Sequence, residues 1–281
     1  MIWESRYDIL KMNKQNRYIV LGLIILFFIL AGIRTGTSPA VASRHANHLI
    51  NIEDIPALNY HKVDTLYHAL SVSPQEFEEQ MQYLYEHDYH TITPDQLMSY
   101  LKHGTQLPDN PILITFDDGY LDNYTNAYPI MQKYGFTATI FLVSNLVGHD
   151  PRFMTWDQVR EMNQTGNTFG SHTVNHQSLT SLNEKDLLTE LSQSREEIAS
   201  QLGKPPKYFA YPTGTYNLAI EDIVRSTGYK AAFTIEFGQI GADSDLYALP
   251  RIPIFKGQKT FRSFFIRLNG APFIEEFGII K

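Results

Sequence analysis

Residues 111–120, PILITFDDGY, decide the fold class of this 281-residue chain. The apolar run Ile112–Phe116 is typical of a short strand buried on both faces, and Asp117, Asp118 and Gly119 follow it directly. Polar groups placed just after a buried strand lie where α/β folds keep their active sites. The stretch therefore predicts a parallel sheet with chemistry at the carboxyl ends of its strands.

Short apolar runs alternate with helical patterns on both sides of this stretch. Further strands are predicted at 137–143, 168–170, 208–211, 231–235 and 249–254, and helices at 123–134, 156–163, 183–202, 217–227 and 260–268. A capped amphipathic helix is also expected after Ser73, with Phe77, Met81 and Leu84 on its apolar face. Alternating strands and helices indicate parallel β/α units, which form either an open doubly wound sheet or a barrel.

A second polar cluster, SHTVNH at 171–176, follows the strand-like segment 168–170. One carboxylate with two histidines is a recurrent ligand set for a catalytic divalent metal. The chain has no cysteine, so thiolate ligands and disulfides are excluded. Adjacent side chains of an extended segment point in opposite directions. One aspartate of the Asp117–Asp118 pair can therefore bind metal while the other faces a substrate water.

With the later segment FAYPTG at 209–214, these motifs resemble the polysaccharide deacetylase family, also called the NodB-homology or carbohydrate esterase 4 family. The resemblance runs from about Ala57 to Ile254. It implies a distorted (β/α) barrel and a hydrolase that removes acetyl groups from an N-acetylglucosamine polymer. It also implies a divalent metal, usually Zn²⁺, with Co²⁺ or Ni²⁺ as alternatives.

The family's site residues transfer to matching positions of this chain. The resemblance implies that Asp117 is the general base and that Asp118, His172 and His176 bind the metal. The backbone N–H of Thr213 would help to hold the oxyanion.

Three departures from the family pattern concern the chemistry. Ala210 occupies the place of an arginine that orients the base, and Thr213 replaces an aromatic residue. The last histidine is His176, so the general acid usually supplied near the C-terminus must come from elsewhere. Tyr211, next to the site motifs, is a candidate for stacking on a sugar ring.

The segment LNYHKV at 58–63 supplies a candidate acid in His61. A Tyr-His pair ahead of the TFDDG motif resembles the subgroup that deacetylates poly-N-acetylglucosamine, the biofilm adhesin. Arg251 resembles a residue of that subgroup's later motif, which assists the base or lines the site. The resemblance therefore favours poly-β-1,6-N-acetylglucosamine as the substrate.

Other functions remain open at this point. A peptidoglycan N-acetylglucosamine deacetylase and a polysaccharide O-acetyl esterase would use the same site. A non-catalytic glycan-binding protein of the cell wall is an alternative from another class. The net charge of −7 argues against a nucleic-acid partner, because phosphates require a basic surface.

The N-terminus predicts export. Residues 18–33 are uncharged and apolar, and basic residues precede them, as in a signal peptide or a membrane anchor. Ala40–Ala42 offers a cleavage site, so both alternatives stay open. We expect residues 1–33 to be the signal or anchor, 34–55 a linker and 56–281 a catalytic domain outside the cell or at its surface.

Overall fold

The computed structural model of the protein describes residues 54–66, 69–255 and 263–270. The predicted signal or anchor at 18–33 and nearly all of the predicted linker lie outside these ranges. Within them, no helix has both the length and the apolar composition needed to span a membrane.

Seven parallel strands close into a barrel. Eleven strands are present among the described residues: β1 (Ile55–Tyr60), β2 (Lys62–Val63), β3 (Ser71–Val72), β4 (His90–Thr91), β5 (Pro111–Phe116), β6 (Thr139–Leu142), β7 (Thr168–Ser171), β8 (Tyr208–Ala210), β9 (Ala231–Phe237), β10 (Gln239–Ile240) and β11 (Leu249–Pro253). The barrel order is β1-β11-β9-β8-β7-β6-β5, and β5 pairs again with β1. That closing pair runs from Ala57 opposite Leu113 to Tyr60 opposite Phe116. The expected (β/α) barrel is thereby confirmed over the open sheet.

Six α-helices accompany the strands, and residues 263–270 are also helical. They are α1 (Pro74–Glu86), α2 (Pro94–His103), α3 (Tyr128–Lys133), α4 (Trp156–Gln164), α5 (Glu184–Leu202) and α6 (Leu218–Ser226). The predicted cap of α1 is present, because Ser73 and Glu76 exchange hydrogen bonds as a capping box. The predicted helix over 123–134 is present, but its first part is a π-helix, Asn123–Ala127, that leads directly into α3.

Alternation along the strands separates the barrel interior from the layer under the helices. In β5, Leu113 belongs to the inner cluster, whereas Ile114 and Phe116 pack in the larger cluster with residues of α1 and α4. In β1, Ala57 is inner and Leu58 is outer. Because successive side chains alternate, residues 113, 115 and 117 face inward, as do residues 57, 59 and 61. This parity decides which polar side chains meet at the barrel mouth.

Candidate active site and metal centre

Three neighbouring strands deliver the first part of the site. Strand β1 lies between β5 and β11, and the three strands are parallel. The inward-facing side chains at their carboxyl ends therefore lie at the same mouth of the barrel. Among these side chains, His61 comes just after β1, Asp117 just after β5 and Arg251 within β11. These three predicted residues lie together in the structure.

Asp117 is held in a buried ion pair. Arg251 donates from Nη1 to Oδ1 and from Nη2 to Oδ2 of Asp117, both at 2.8 Å. Asn59 Nδ2 donates to Oδ2 at 3.0 Å. Burial alone would raise the pKa of Asp117, but the Arg251 guanidinium holds that pKa well below its usual range. The carboxylate is therefore charged and fixed in orientation.

Arg251 is fully buried, and each of its three side-chain nitrogens donates a hydrogen bond. Its Nε donates to the Thr234 carbonyl at 2.7 Å, and Nη1 also reaches Thr115 Oγ1 at 3.1 Å. A planar guanidinium matches a carboxylate with two parallel hydrogen bonds. The guanidinium comes from β11, while Ala210 on β8, where the family resemblance led us to expect an arginine, contributes its backbone carbonyl.

His61 lies near the same carboxylate. Its Nε2 lies 3.9 Å from Asp117 Oδ2, and its side chain is 13% exposed. This separation is too long for a hydrogen bond and leaves the ring at the edge of the open site. An imidazole and a charged carboxylate thus lie side by side at the barrel mouth.

The three predicted metal ligands also converge. Asp118 Oδ1 lies 3.5 Å from His172 Nε2 and 3.3 Å from His176 Nε2. Donors on a tetrahedral metal with bonds of ~2.0–2.1 Å are about 3.3 Å apart, which the two distances from Asp118 match, and all three donors lie within 4.8 Å of one another. Within the part of the chain that the structure describes, Asp118 Oδ1 is buried without a hydrogen-bond partner, as expected for an atom that a cation would satisfy.

The protonation states suit metal binding. Nδ1 of His172 lies 2.7 Å from the Ala210 carbonyl, which selects the tautomer with a free Nε2 lone pair. Burial lowers the pKa of His172 to about 3 and also lowers that of His176, so both rings are neutral near pH 7. Burial raises the pKa of Asp118 to about 6. A cation beside Asp118 would favour its charged form.

The loop that carries the histidines has a strained backbone. Thr173 and His176 have φ of 69° and 57°, and Asp118 has φ of 74°. Non-glycine residues in this left-handed region cost of order 1–3 kcal/mol each and persist only where surrounding contacts fix them. One such contact is internal, since the His176 amide donates to Thr173 Oγ1 at 3.0 Å.

The buried carboxylate of Glu190, on α5, supplies three further contacts. Its Oε2 accepts the backbone N–H groups of Val174 and Asn175 at 2.9 Å, and Oε1 accepts Asn175 Nδ2 at 2.7 Å. Glu190 therefore fixes the loop that connects His172 to His176.

Loss of Glu190 is expected to weaken metal binding by about 10–100-fold, the usual effect of removing a partner that orients a ligand. Glu190→Ala removes all three hydrogen bonds. Glu190→Gln keeps the two backbone bonds through its amide oxygen and should lose much less. Isothermal titration of the metal-free protein with Zn²⁺ measures the difference. Glu196→Ala, at an exposed position of the same helix, is the matched control, and equal affinities for all variants would contradict the expectation.

Thr213 and Tyr211 have different surroundings. Thr213 is exposed after β8, with φ of 58°. Tyr211 is fully buried, and its hydroxyl donates to the Tyr247 carbonyl at 2.9 Å. The expectation that Tyr211 stacks on a sugar is therefore corrected, because its ring packs against Phe209 and Tyr216 inside the protein.

Two residues at the site were not singled out from the sequence. The sequence does point to Glu190, because it lies on the apolar face of α5 with Leu187 and Leu191, and a buried carboxylate there needs a hydrogen-bond partner. It also points to Asn59, a polar amide within an otherwise apolar strand that ends just before His61.

Comparisons with known proteins identify relatives of this chain. The family model for polysaccharide deacetylase matches residues 104–232. YxkH of Bacillus subtilis (strain 168), whose name places it among polysaccharide deacetylases, is 34% identical over 203 residues, covering 72% of each chain. The poly-β-1,6-N-acetyl-D-glucosamine N-deacetylase of Staphylococcus aureus (strain MRSA252) is 28% identical and covers 86% of this chain and 93% of its own.

A solved structure is similar over most of the described part. The deacetylase PplD of Streptococcus pyogenes, in complex with acetate, superposes with a TM-score of 0.72 at 29% identity. The superposition covers 76% of this chain and 97% of PplD. The barrel described above is thus the fold of a known deacetylase.

Proposed function

Because the chain belongs to the polysaccharide deacetylase family, we propose that it hydrolyses N-acetyl groups of an exported N-acetylglucosamine polymer, poly-β-1,6-N-acetylglucosamine. The observation that carries the proposal is the meeting of Asp117 with Arg251 and His61, at 2.8 and 3.9 Å, beside the donor set of Asp118, His172 and His176. Such a site has a base, a proton donor and ligands for a Lewis acid.

Asp118, His172 and His176 would hold the metal. A divalent cation bound there lowers the pKa of water and polarises a carbonyl oxygen. Zn²⁺ suits two imidazoles and a carboxylate, and Co²⁺ and Ni²⁺ are alternatives.

The protein's own groups move the protons. Asp117, kept charged by Arg251, takes a proton from the water that attacks the acetyl carbon. His61 then donates a proton to the nitrogen as the C–N bond breaks, so the products are acetate and a free amine. The exposed backbone N–H of Thr213 would donate to the developing oxyanion.

The relatives support the choice of substrate. The Staphylococcus aureus relative is named for poly-β-1,6-N-acetyl-D-glucosamine, and the similarity extends over 86% of this chain. The PplD structure contains acetate, the acid that the proposed reaction releases. Residues 56–281 would form the catalytic domain outside the cell or at its surface, with residues 1–33 as signal or anchor.

Removal of the metal is expected to abolish acetate release. Dialysis against a chelator should leave about 1% of the activity or less, and stoichiometric Zn²⁺ should restore it. His176→Ala, at a half-exposed ligand, should lower Zn²⁺ affinity by about 100-fold or more, whereas His149→Ala, at an exposed histidine, should not. Full activity after verified metal loss would contradict the metal assignment.

The proposal is tested by measuring acetate released by the full chain in detergent. Poly-β-1,6-N-acetylglucosamine, peptidoglycan and an O-acetylated polysaccharide are offered in parallel. Release from the first substrate alone supports the proposal. Release from peptidoglycan or from the O-acetylated polymer would support the deacetylase reaction of the family but would contradict poly-β-1,6-N-acetylglucosamine as the substrate. Zn²⁺ and glycan binding without acetate release would favour a non-catalytic binding protein.

A further inference from the structure

The imidazole of His61 is not oriented by hydrogen bonds of its own. Among the described residues its buried Nδ1 has no hydrogen-bond partner, and its Nε2 is 3.9 Å from Asp117. By contrast, Nδ1 of His172 is fixed by the Ala210 carbonyl. The ring of Phe255 lies 6.4 Å away, centroid to centroid, and sets one wall. The direction of the His61 ring therefore depends on how its backbone is held.

Three polar side chains around the π-helix hold that backbone. Asn123 Nδ2 donates to the His61 carbonyl at 2.8 Å. Asp122 Oδ1 accepts the Val63 amide at 2.7 Å, and Asn126 Nδ2 donates to the Val63 carbonyl at 2.7 Å. We call Asp122, Asn123 and Asn126 the clamp.

The clamp binds every residue of the short segment after β1. Asp122 also pairs with the Lys62 ammonium at 3.5 Å, so residues 61, 62 and 63 are all contacted. Asn123 is fully buried, and its Nδ2 faces two acceptors, the His61 carbonyl and Asp122 Oδ1 at 3.1 Å. Since only the NH₂ group can donate, this pattern defines the orientation of the amide.

The clamp also connects the acid to the base. It begins five residues after Asp117, and the Asp117 amide donates to the Tyr60 carbonyl at 3.0 Å. The segment with His61 is thus attached on one side to the base and on the other to the π-helix. Single-turn π-helices occur frequently at functional sites.

We propose that the clamp is a positioning device for the general acid: Asp122, Asn123 and Asn126 hold the 61–63 backbone so that His61 Nε2 stays beside Asp117 and within reach of the leaving nitrogen. This inference rests on the proposed function, in which His61 protonates the amine. None of the three clamp residues needs to touch the substrate.

A comparison of two leaving groups tests the proposal. An amine leaves only when protonated, whereas the phenolate of 4-nitrophenyl acetate leaves without a proton. We compare kcat/KM of the full, Zn²⁺-loaded chain on a β-1,6-linked N-acetylglucosamine oligosaccharide and on the aryl acetate. The variants are His61→Ala, Asn123→Ala and the half-buried Asn126→Ala, which keeps the test valid if Asn123→Ala does not fold.

The matched control is Asn167→Ala. Asn167 is a buried asparagine at the amino end of β7, where its Nδ2 donates to the Met162 carbonyl at 3.2 Å and its Oδ1 accepts the Ala138 amide at 2.9 Å. Its loss should destabilise the fold without affecting His61. Any effect on activity should then be equal for both substrates.

We expect His61→Ala to lower kcat/KM on the oligosaccharide by about 10²–10⁴-fold and on the aryl acetate by less than about 10-fold. The clamp variants should show the same selectivity, with an oligosaccharide loss of about 10–100-fold from misplacing the acid. If His61→Ala is selective but the clamp variants resemble Asn167→Ala, the clamp proposal is overturned. If His61→Ala itself is not selective, the acid assignment fails, and the clamp proposal with it.

Discussion

Asp117→Asn is expected to lower acetate release from the polymer by about 10²–10⁴-fold, the usual contribution of a positioned general base. The asparagine side chain has nearly the same shape, but it cannot take a proton from water. Affinity for Zn²⁺ should change little, because the metal donors are Asp118 and the two histidines. The variant should therefore separate metal binding from chemistry.

The measurements are kcat for acetate release, Zn²⁺ affinity by titration, and thermal unfolding to confirm the fold. Asp95→Asn is the matched control. Asp95 is an exposed carboxylate that accepts hydrogen bonds from Lys207 and Tyr208, at the amino end of β8. Near-normal activity of Asp117→Asn, with the fold and metal intact, would exclude Asp117 as the base.

Arg251→Met is expected to lower the free energy of unfolding by about 3–5 kcal/mol, because it leaves the Asp117 carboxylate buried without its partner. The two groups are 0% and 2% exposed, so water cannot replace the lost hydrogen bonds. Activity should fall as well, since the base loses its fixed orientation. Urea unfolding followed by circular dichroism measures the change in stability.

The double variant Asp117→Asn/Arg251→Met provides the control. Once both charges are absent, neither is buried alone, so the double variant should be less destabilised than the sum of the single variants by about 0.5–3 kcal/mol. Strict additivity would show that the ion pair does not couple the two positions. In that case Arg251 would stabilise the barrel through its contacts with Thr234 and Thr115 alone.

The local motifs predicted much of the fold. Most strands and helices were expected within a few residues of their observed ends, because apolar alternation and capping residues act over short distances. The helix over 123–134 was expected, but the π-helical form of its first part, Asn123–Ala127, was not. There the side chains of Asp122, Asn123 and Asn126 bond to the segment 61–63, and no local pattern reveals so distant a partner.

The convergence of one aspartate of the 117–118 pair with His172 and His176 was also expected from the sequence, and the family resemblance assigned that role to Asp118. Both motifs follow parallel strands, and the carboxyl ends of such strands lie at one edge of the sheet. Residue type and spacing therefore suffice to suggest a metal site there. The role of Ala210 was not visible in this way, since it acts through its carbonyl and not its side chain.

By itself the sequence determined the β/α alternation, the aspartate pair and the histidine cluster, because these depend on neighbours within a few residues. Only the tertiary structure decided that the sheet closes between β1 and β5, which brings His61, Asn59 and Arg251 onto Asp117 from positions 56 to 134 residues away. It also decided that Tyr211 is buried and that Glu190 supports the histidine loop. Such contacts follow from strand order and side-chain parity around a closed barrel, which no single segment encodes.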